Sequence, residues 1–285
     1  MDRRAFIGSM TAAAMMSRVG WAASEPLPAH RIEKIGLELY TVRDALAKDF
    51  EGTLAQVAKI GYAEVEFAGY FSHVPDFNPS PKRTREILDG DGLSAPAAHV
   101  PYSALAPENW AHVIEAGKIL GHDYIVNPSI DREVLKQPDG WKRAAETFNR
   151  AGEESLKAGI QFGYHNHVEE FKPLPDGKLP YDILLSESDP KFVKMEMDLG
   201  WAHEAKIDPV KYFAQYPGRF PLVHVKDFDK NDMMTEVGSG VIDWKSIFAQ
   251  SELAGIKHYF VEHDNPMLPF MSIEKSYQYL KQLTF

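Results

Sequence analysis

The strongest constraint on this chain is a rhythm of eight short apolar runs, each ending near a polar side chain. The runs read IGLELY, AEVEF, LSAPAAH, YIVN, IQFGYH, VKMEMD, PLVHV and HYFVE, in order from Ile35 to Glu262. Short apolar runs of this kind read as strands buried on both faces, as in a parallel sheet. Between them lie stretches of helical period, among them PENWAHVIEAGKIL, WKRAAETFNRAGEESLKA, DPVKYFAQY and WKSIFAQSELA. Gly61, Gly92, Gly121, Gly159, Gly218 and Gly255 stand just ahead of runs, where a helix end calls for a left-handed residue. Pro107, Asp208 and Asp243 stand at helix starts, positions that suit them. Strand and helix alternating eight times predict an α/β fold, a single-domain (β/α)8 TIM barrel over residues 35–285. An open doubly wound sheet is the alternative, weakened because no G-x-G-x-x-G follows the first run.

Residues 1–24, MDRRAFIGSMTAAAMMSRVGWAAS, have a basic start, a short apolar middle and small residues near the end. This is signal-peptide architecture, and Arg3-Arg4 ahead of Ala5-Phe6-Ile7 resembles a twin-arginine export signal, which predicts a periplasmic protein. Asp2 and Arg18 depart from the usual pattern. Residues 25–34 read as a linker. With no cysteine, export brings no disulfide scaffold, and the core must stabilise itself. A formal net charge of −10 argues against nucleic acid or an anionic membrane surface as partner. No stretch reaches the roughly 20 apolar residues of a membrane span.

In a barrel of this kind chemistry sits at the C-terminal strand ends. The run ends are Glu38, Glu66, His99, Asn127, His165, Asp198, His224 and Glu262. Nearly all can bind a metal, move a proton or hold a hydroxyl. Because residues i and i+2 of a strand share a side, His165 and His167 face one way and Asn166 the other. Glu196 then lies one layer below Asp198, where it calls for a cationic partner such as lysine or arginine. Lys226, two residues past His224, projects over the same mouth. Tyr40, Phe67, Tyr70, Trp201 and Phe228 fall at or just after run ends and are candidates to line the remaining space. Imidazoles with carboxylates suit one divalent Mn, Zn, Co or Fe ion, a Lewis acid that makes the proton beside a carbonyl removable. The Gly- and Pro-containing stretch GYFSHVPDFNPSP after the second run is a candidate lid.

At YHNH-x-x-EF, K-M-E-x-D, H-x-K-D, EVGSGVIDWKSIF and VEHD, the chain resembles the sugar phosphate isomerase/epimerase family. These are the xylose-isomerase-like barrels that include ketose 3-epimerases, inosose dehydratases and endonuclease IV. The resemblance implies a divalent metal held by groups on strands five to eight, carried over here to His165, Asp198, His224 and Glu262. Strand five departs from the pattern: His165 stands where epimerases carry glutamate, and His167 is the alternative ligand. Trp201 stands where epimerases often have histidine. The implied roles are proton transfer for Glu262 and His167, with Lys226 beside them, and substrate contacts for Glu66, His99, Glu196 and Trp201. An exported enzyme does not meet sugar phosphates, so the expected substrate is a non-phosphorylated sugar or keto-sugar. The expected reaction is isomerisation or epimerisation by proton abstraction; the alternative is a lyase or hydratase acting on a 3-keto-glycoside. A DNA-repair nuclease conflicts with the net charge, and a non-catalytic sugar-binding protein with the intact Asp198, His224 and Glu262 set. Barrels of this family often associate, so a homo-oligomer is expected.

Overall fold

A computed structural model describes residues 30–69 and 79–285. The expected signal peptide, Tyr70 and most of the candidate lid lie outside the described residues. Eight parallel strands close into a barrel in the order β1-β10-β7-β6-β5-β4-β3-β2. They are β1 (Ile35–Glu38), β2 (Glu64–Phe67), β3 (Ser94–His99), β4 (Tyr124–Asn127), β5 (Gln161–His165), β6 (Val193–Asp198), β7 (Leu222–Val225) and β10 (His258–Val261). Each corresponds to one of the eight apolar runs. Between β7 and β10 a small antiparallel pair intervenes, β8 (Asp227–Phe228) and β9 (Met234–Thr235). The sequence rhythm gave no sign of it.

All six glycines ahead of the runs have positive φ, from 70° at Gly92 to 122° at Gly61. The helix Pro107–Leu120 begins with proline in its first turn, and the Asp208 and Asp243 side chains cap the helices that follow them. The expected single helix WKSIFAQSELA is two, Trp244–Phe248 and Ser251–Ala254. Ser251 Oγ donates to the Phe248 carbonyl at 2.5 Å, a local bond of the kind that competes with a continuous helix.

Helices pack around the barrel over one large apolar cluster, while Ala97, Tyr124, Val126, Leu222 and Phe260 form a second, separate cluster. Beside Phe260, β1 needs a glycine: a Cβ on Gly36 would lie 2.4 Å from the Phe260 ring. Above this apolar plug the inward positions turn polar. The register sets His165 beside Glu196 and Asp198 beside His224, so residues far apart in sequence become lateral neighbours.

Candidate active site at the C-terminal mouth of the barrel

A cavity of about 300 Å³ opens at the strand ends, lined by Glu38, Tyr40, Ala68, His99, Pro128, Ser129, His165, His167, Trp201, Lys226, Glu262 and Asp264. Its organising group is the Lys226 ammonium. Nζ lies 2.9 Å from Asp198 Oδ2, 2.9 Å from Glu262 Oε2 and 2.9 Å from Asp264 Oδ1, and 4.4 Å from the centre of the Trp201 ring. The stem of Lys226 passes close to Gly200, where a Cβ would lie 2.7 Å from Lys226 Cβ, Cγ and O. The neighbouring Asp227 anchors the following loop. Its carboxylate accepts from the amides of Phe228, Gly238 and Gly240 at 2.9, 2.9 and 3.2 Å and from Trp244 Nε1 at 3.0 Å. That explains the H-x-K-D and EVGSGVIDW motifs as one unit: the aspartate gathers the glycine loop and holds the strand end that carries Lys226.

His224 stands between two sets of carboxylates. Nδ1 lies 2.7 Å from Glu262 Oε2 and 3.8 Å from Asp198 Oδ2, while Nε2 lies 2.7 Å from Glu66 Oε2 and 3.3 Å from Glu196 Oε2. His165 is placed alike, with Nδ1 3.1 Å from Glu196 Oε2 and Nε2 3.9 Å from Asp198 Oδ2. Asp198 does two jobs. Oδ1 caps the helix Leu199–Glu204 by accepting from the Trp201 amide at 2.8 Å, and Oδ2 faces the cluster without an aligned hydrogen bond. Asn166 points the other way, as strand geometry requires, and pairs with the Asp198 backbone.

The protonation pattern follows from burial and neighbours. Against burial, which disfavours charge, Glu196 and Glu262 push the His224 imidazole well above its usual range. Against burial likewise, Asp198, Glu262 and Asp264 push Lys226 up. Glu262, despite burial, is held well below the usual carboxylate range by Lys226 and His224, and Glu196 is held low by His224 and His99. Burial raises Asp198. Burial, then the charge of Glu196, raises Glu66 to about 8, and burial with Glu66 raises Glu38 well above its ordinary value. Burial lowers both His165 and His167, so both favour the neutral imidazole.

The structure gathers the ten residues given metal, proton-transfer or substrate roles into one region but divides them into two layers. His99, His165, His167, Trp201, Lys226 and Glu262 line the cavity; Glu66, Glu196, Asp198 and His224 do not line it and are fully buried. The expected lysine or arginine partner of Glu196 is absent among the described residues. Instead three imidazoles converge on Oε2: His99 Nε2 at 2.7 Å, His165 Nδ1 at 3.1 Å and His224 Nε2 at 3.3 Å. The barrel interior brings β3, β5 and β7 around β6, so a carboxylate there meets side chains from three strands. Asn127 takes no part in the mouth; its Nδ2 donates to the Val100 carbonyl at 2.9 Å. Two residues went unseen. Asp264 follows from the same i+2 rule applied after Glu262. Glu170 receives the Tyr164 hydroxyl at 2.5 Å and the His167 amide at 2.8 Å, which ties down the turn bearing His167.

The donor set suits a divalent cation. Ligand atoms of Asp198, His224 and Glu262 lie within 4.8 Å of one another, all buried. Asp198 Oδ2 has the Lys226 ammonium at 2.9 Å but no aligned hydrogen bond, and His165 Nε2 lies 3.9 Å from it. Mixed imidazole and carboxylate donors match Mn²⁺, Zn²⁺, Co²⁺ or Fe²⁺ chemistry.

A solved sugar phosphate isomerase/epimerase from Parabacteroides distasonis superposes with a TM-score of 0.78 at 29% identity, over 91% of this chain and 99% of that one. An inosose dehydratase of Geobacillus thermodenitrificans is 25% identical over 177 residues, 54% of this chain and 58% of that protein. The chain thus matches little more than half the length of that relative. A xylose isomerase-like barrel from Mycobacterium smegmatis, solved in complex with magnesium, shares the fold at a TM-score of 0.63 and 18% identity, over 87% of this chain and 95% of that one. Residues 54–279 match the model of the xylose isomerase-like TIM barrels, and the chain belongs to that family.

Proposed function

We propose that the protein is a metal-dependent enzyme of the sugar isomerase/epimerase type, acting on a non-phosphorylated sugar or keto-sugar. The observation that carries this reading is the pairing of a carboxylate held anionic, Glu262, with a neutral imidazole, His167, on the walls of one cavity. His165, Asp198, His224 and Glu262 would hold the metal, which when bound supplies Lewis-acid polarisation of a substrate carbonyl. The rest is work for the chain's own groups. His167 Nε2 or Nδ1, neutral and in the cavity wall, takes the proton from the carbon beside the carbonyl. The Lys226 ammonium stabilises the negative charge that develops on the substrate oxygen. The imidazolium so formed at His167 returns that proton, to the neighbouring carbon in isomerisation, while Glu262, held anionic, is the second group able to accept one. His99 Nε2 is engaged with Glu196, which fixes the ring at the wall as a contact for a hydroxyl. Tyr40 and Trp201 offer aromatic faces to the sugar ring.

The absence of phosphate from the proposed substrate has support in the charge count. Lys226 is the lysine among the described residues lining the cavity, no arginine lines it, and the ammonium is already engaged by three carboxylates. Glu38, Glu262 and Asp264 face the same space. A phosphate dianion would meet carboxylates, with no uncommitted lysine or arginine among the described lining residues to receive it. The proposed periplasmic location, resting on the Arg3-Arg4 segment, agrees with a neutral substrate.

A second reading is a lyase or dehydratase using the same residues on a keto-sugar. The similarity to inosose dehydratase favours it, as does histidine at the strand-five position. The first step is shared: a proton leaves the carbon beside the carbonyl. Elimination then expels the β-hydroxyl or β-alkoxyl, protonated as it leaves by an acid of the site.

Metal analysis of the purified protein beside Asp198→Asn tests the common part. The expected result is close to one divalent ion per chain in wild type, lost in the variant together with keto-sugar turnover. A wild type that holds no metal after reloading refutes it. Product mass separates the two readings: conserved mass marks isomerisation or epimerisation, and loss of water or of the aglycone marks elimination.

A further inference from the structure

We propose that Glu196 is the positioning residue of the metal centre, its single oxygen Oε2 fixing which nitrogen of His224 and of His165 faces the ion. This rests on the metal reading given above.

Glu196 does not line the cavity and is fully buried on β6, so it is placed to act on other side chains rather than on substrate. Each of the two histidines turns one nitrogen to Oε2 and the other toward Asp198. For His224, Nε2 lies 3.3 Å from Glu196 Oε2 and 2.7 Å from Glu66 Oε2, and Nδ1 lies 3.8 Å from Asp198 Oδ2 and 2.7 Å from Glu262 Oε2. For His165, Nδ1 lies 3.1 Å from Glu196 Oε2 and Nε2 3.9 Å from Asp198 Oδ2. An imidazole has one proton to give when its other nitrogen is a ligand. Glu196, as an acceptor-only carboxylate, therefore favours the N–H tautomers that leave His224 Nδ1, on the side of the two proposed ligands Glu262 and Asp198, and His165 Nε2 as the nitrogens for a metal. Glu66 Oε2, 2.7 Å from His224 Nε2, adds to the same bias on one of the two rings. Of these two carboxylates, Glu196 is the one that reaches both rings. Its third partner, His99, couples the cavity wall to the same oxygen, so the substrate-facing ring and the metal-facing rings share one anchor.

A carboxylate behind a ligand histidine is typically worth a factor of about 10–100 in metal affinity. The test titrates cobalt(II) chloride into the metal-free full chain, wild type beside Glu196→Gln, and reads both affinity and the visible spectrum. The expected result is one ion per chain in each, with affinity about 10–100-fold weaker in the variant and a changed spectrum, since the rings lose their fixed orientation. Nitrogen-15 NMR of the wild-type histidines with zinc needs no variant. It is expected to show the proton on Nε2 of His224 and on Nδ1 of His165. Equal affinity and spectrum in the two proteins, or the opposite tautomers, overturn the proposal. So does a wild type that takes two ions and loses one in Glu196→Gln, which would make Glu196 a ligand of a second cation. A wild type that takes no ion sinks the metal reading itself, and this proposal with it, a result distinct from failure of the variant comparison.

Discussion

Gly200→Ala places one methyl group against the stem of the central lysine. The added Cβ would lie 2.7 Å from Lys226 Cβ, Cγ and O, all close to or on the backbone and unable to swing aside. Gly200 does not have positive φ, so the cost is packing alone. Relief of the contact requires a shift of roughly half an ångström or more, and overpacking of this kind costs about 1–3 kcal/mol. At about 2.1 cal/mol/K per residue, a chain of about 250 ordered residues has an unfolding entropy near 0.5 kcal/mol/K, so Tm falls by about 2–6 °C. The same displacement pulls Nζ away from Asp198 and Glu262, so turnover of a keto-sugar falls along with stability. Calorimetry of the metal-free protein reads the first effect. Gly90→Ala serves as the counterpart: nothing lies within 4 Å of its Cβ and it sits in the helix Pro81–Asp91. There the exchange stabilises by about 0.5–1 kcal/mol, raising Tm by about 1–2 °C. An unchanged Tm in Gly200→Ala, with Gly90→Ala behaving as described, would show that the Lys226 stem is not fixed by this contact.

Asp227→Ala leaves the buried Phe228 amide and Trp244 Nε1, and the part-buried amides of Gly238 and Gly240, without their acceptor, a loss of about 3 kcal/mol or more seen as a lowered denaturation midpoint; a change under 1 kcal/mol would refute the anchor role. Lys226→Met removes the cation that shares Asp198 and Glu262 with the proposed metal, and cobalt affinity is expected to rise at least about tenfold by simple Coulomb repulsion; weaker binding would show that the ammonium organises the ligands rather than competing. Burial pushes His122 down to about 4, with Nδ1 at 2.6 Å from the Ala95 carbonyl. Its neutral form is favoured by folding, so its contribution is present above the unfolded pKa of about 6.5 and is lost as pH falls toward 4, about 3 kcal/mol over that window. Denaturant titrations of wild type and His122→Gln at pH 7 and pH 4 check this: the wild-type advantage should shrink at the lower pH, and a constant difference would refute it.

The strands were legible because each is a short apolar run punctuated by glycine, and both signals are local. All six punctuating glycines do adopt positive φ. The strand-end chemistry was legible because a barrel delivers strand ends to one place, whatever their separation in sequence. What the sequence could not show was partnership. Glu196 called for a cation and found three histidines, at sequence distances of 97, 31 and 28 residues, because strand register rather than proximity along the chain decides neighbours. Asn127 looked like its neighbours at run ends, yet its side chain serves the Val100 carbonyl. The β8–β9 pair rests on Asp229, whose side chain accepts from the amides of Asn231 and Met233, and so polar a turn carries no apolar periodicity to read.

The two oxygens of Asp198 explain why asparagine, rather than alanine, is the informative substitution at the site. Oδ1 caps the helix Leu199–Glu204, and Oδ2 carries the charge that faces Lys226. Asparagine can keep the cap, being among the best residues for that position, while it removes the charge; alanine removes both, and loss of the cap alone costs about 0.5–2 kcal/mol. Metal lost from Asp198→Ala could follow from a frayed helix and a displaced Trp201. Metal lost from Asp198→Asn at nearly unchanged Tm cannot, and it would assign the effect to the carboxylate. The same logic makes the position of the helix and the position of the site one decision of the sequence. The D-L-G-W stretch ends β6, caps the next helix, clears room for the Lys226 stem at Gly200 and sets Trp201 against its ammonium, so any shift of one residue would break all four at once.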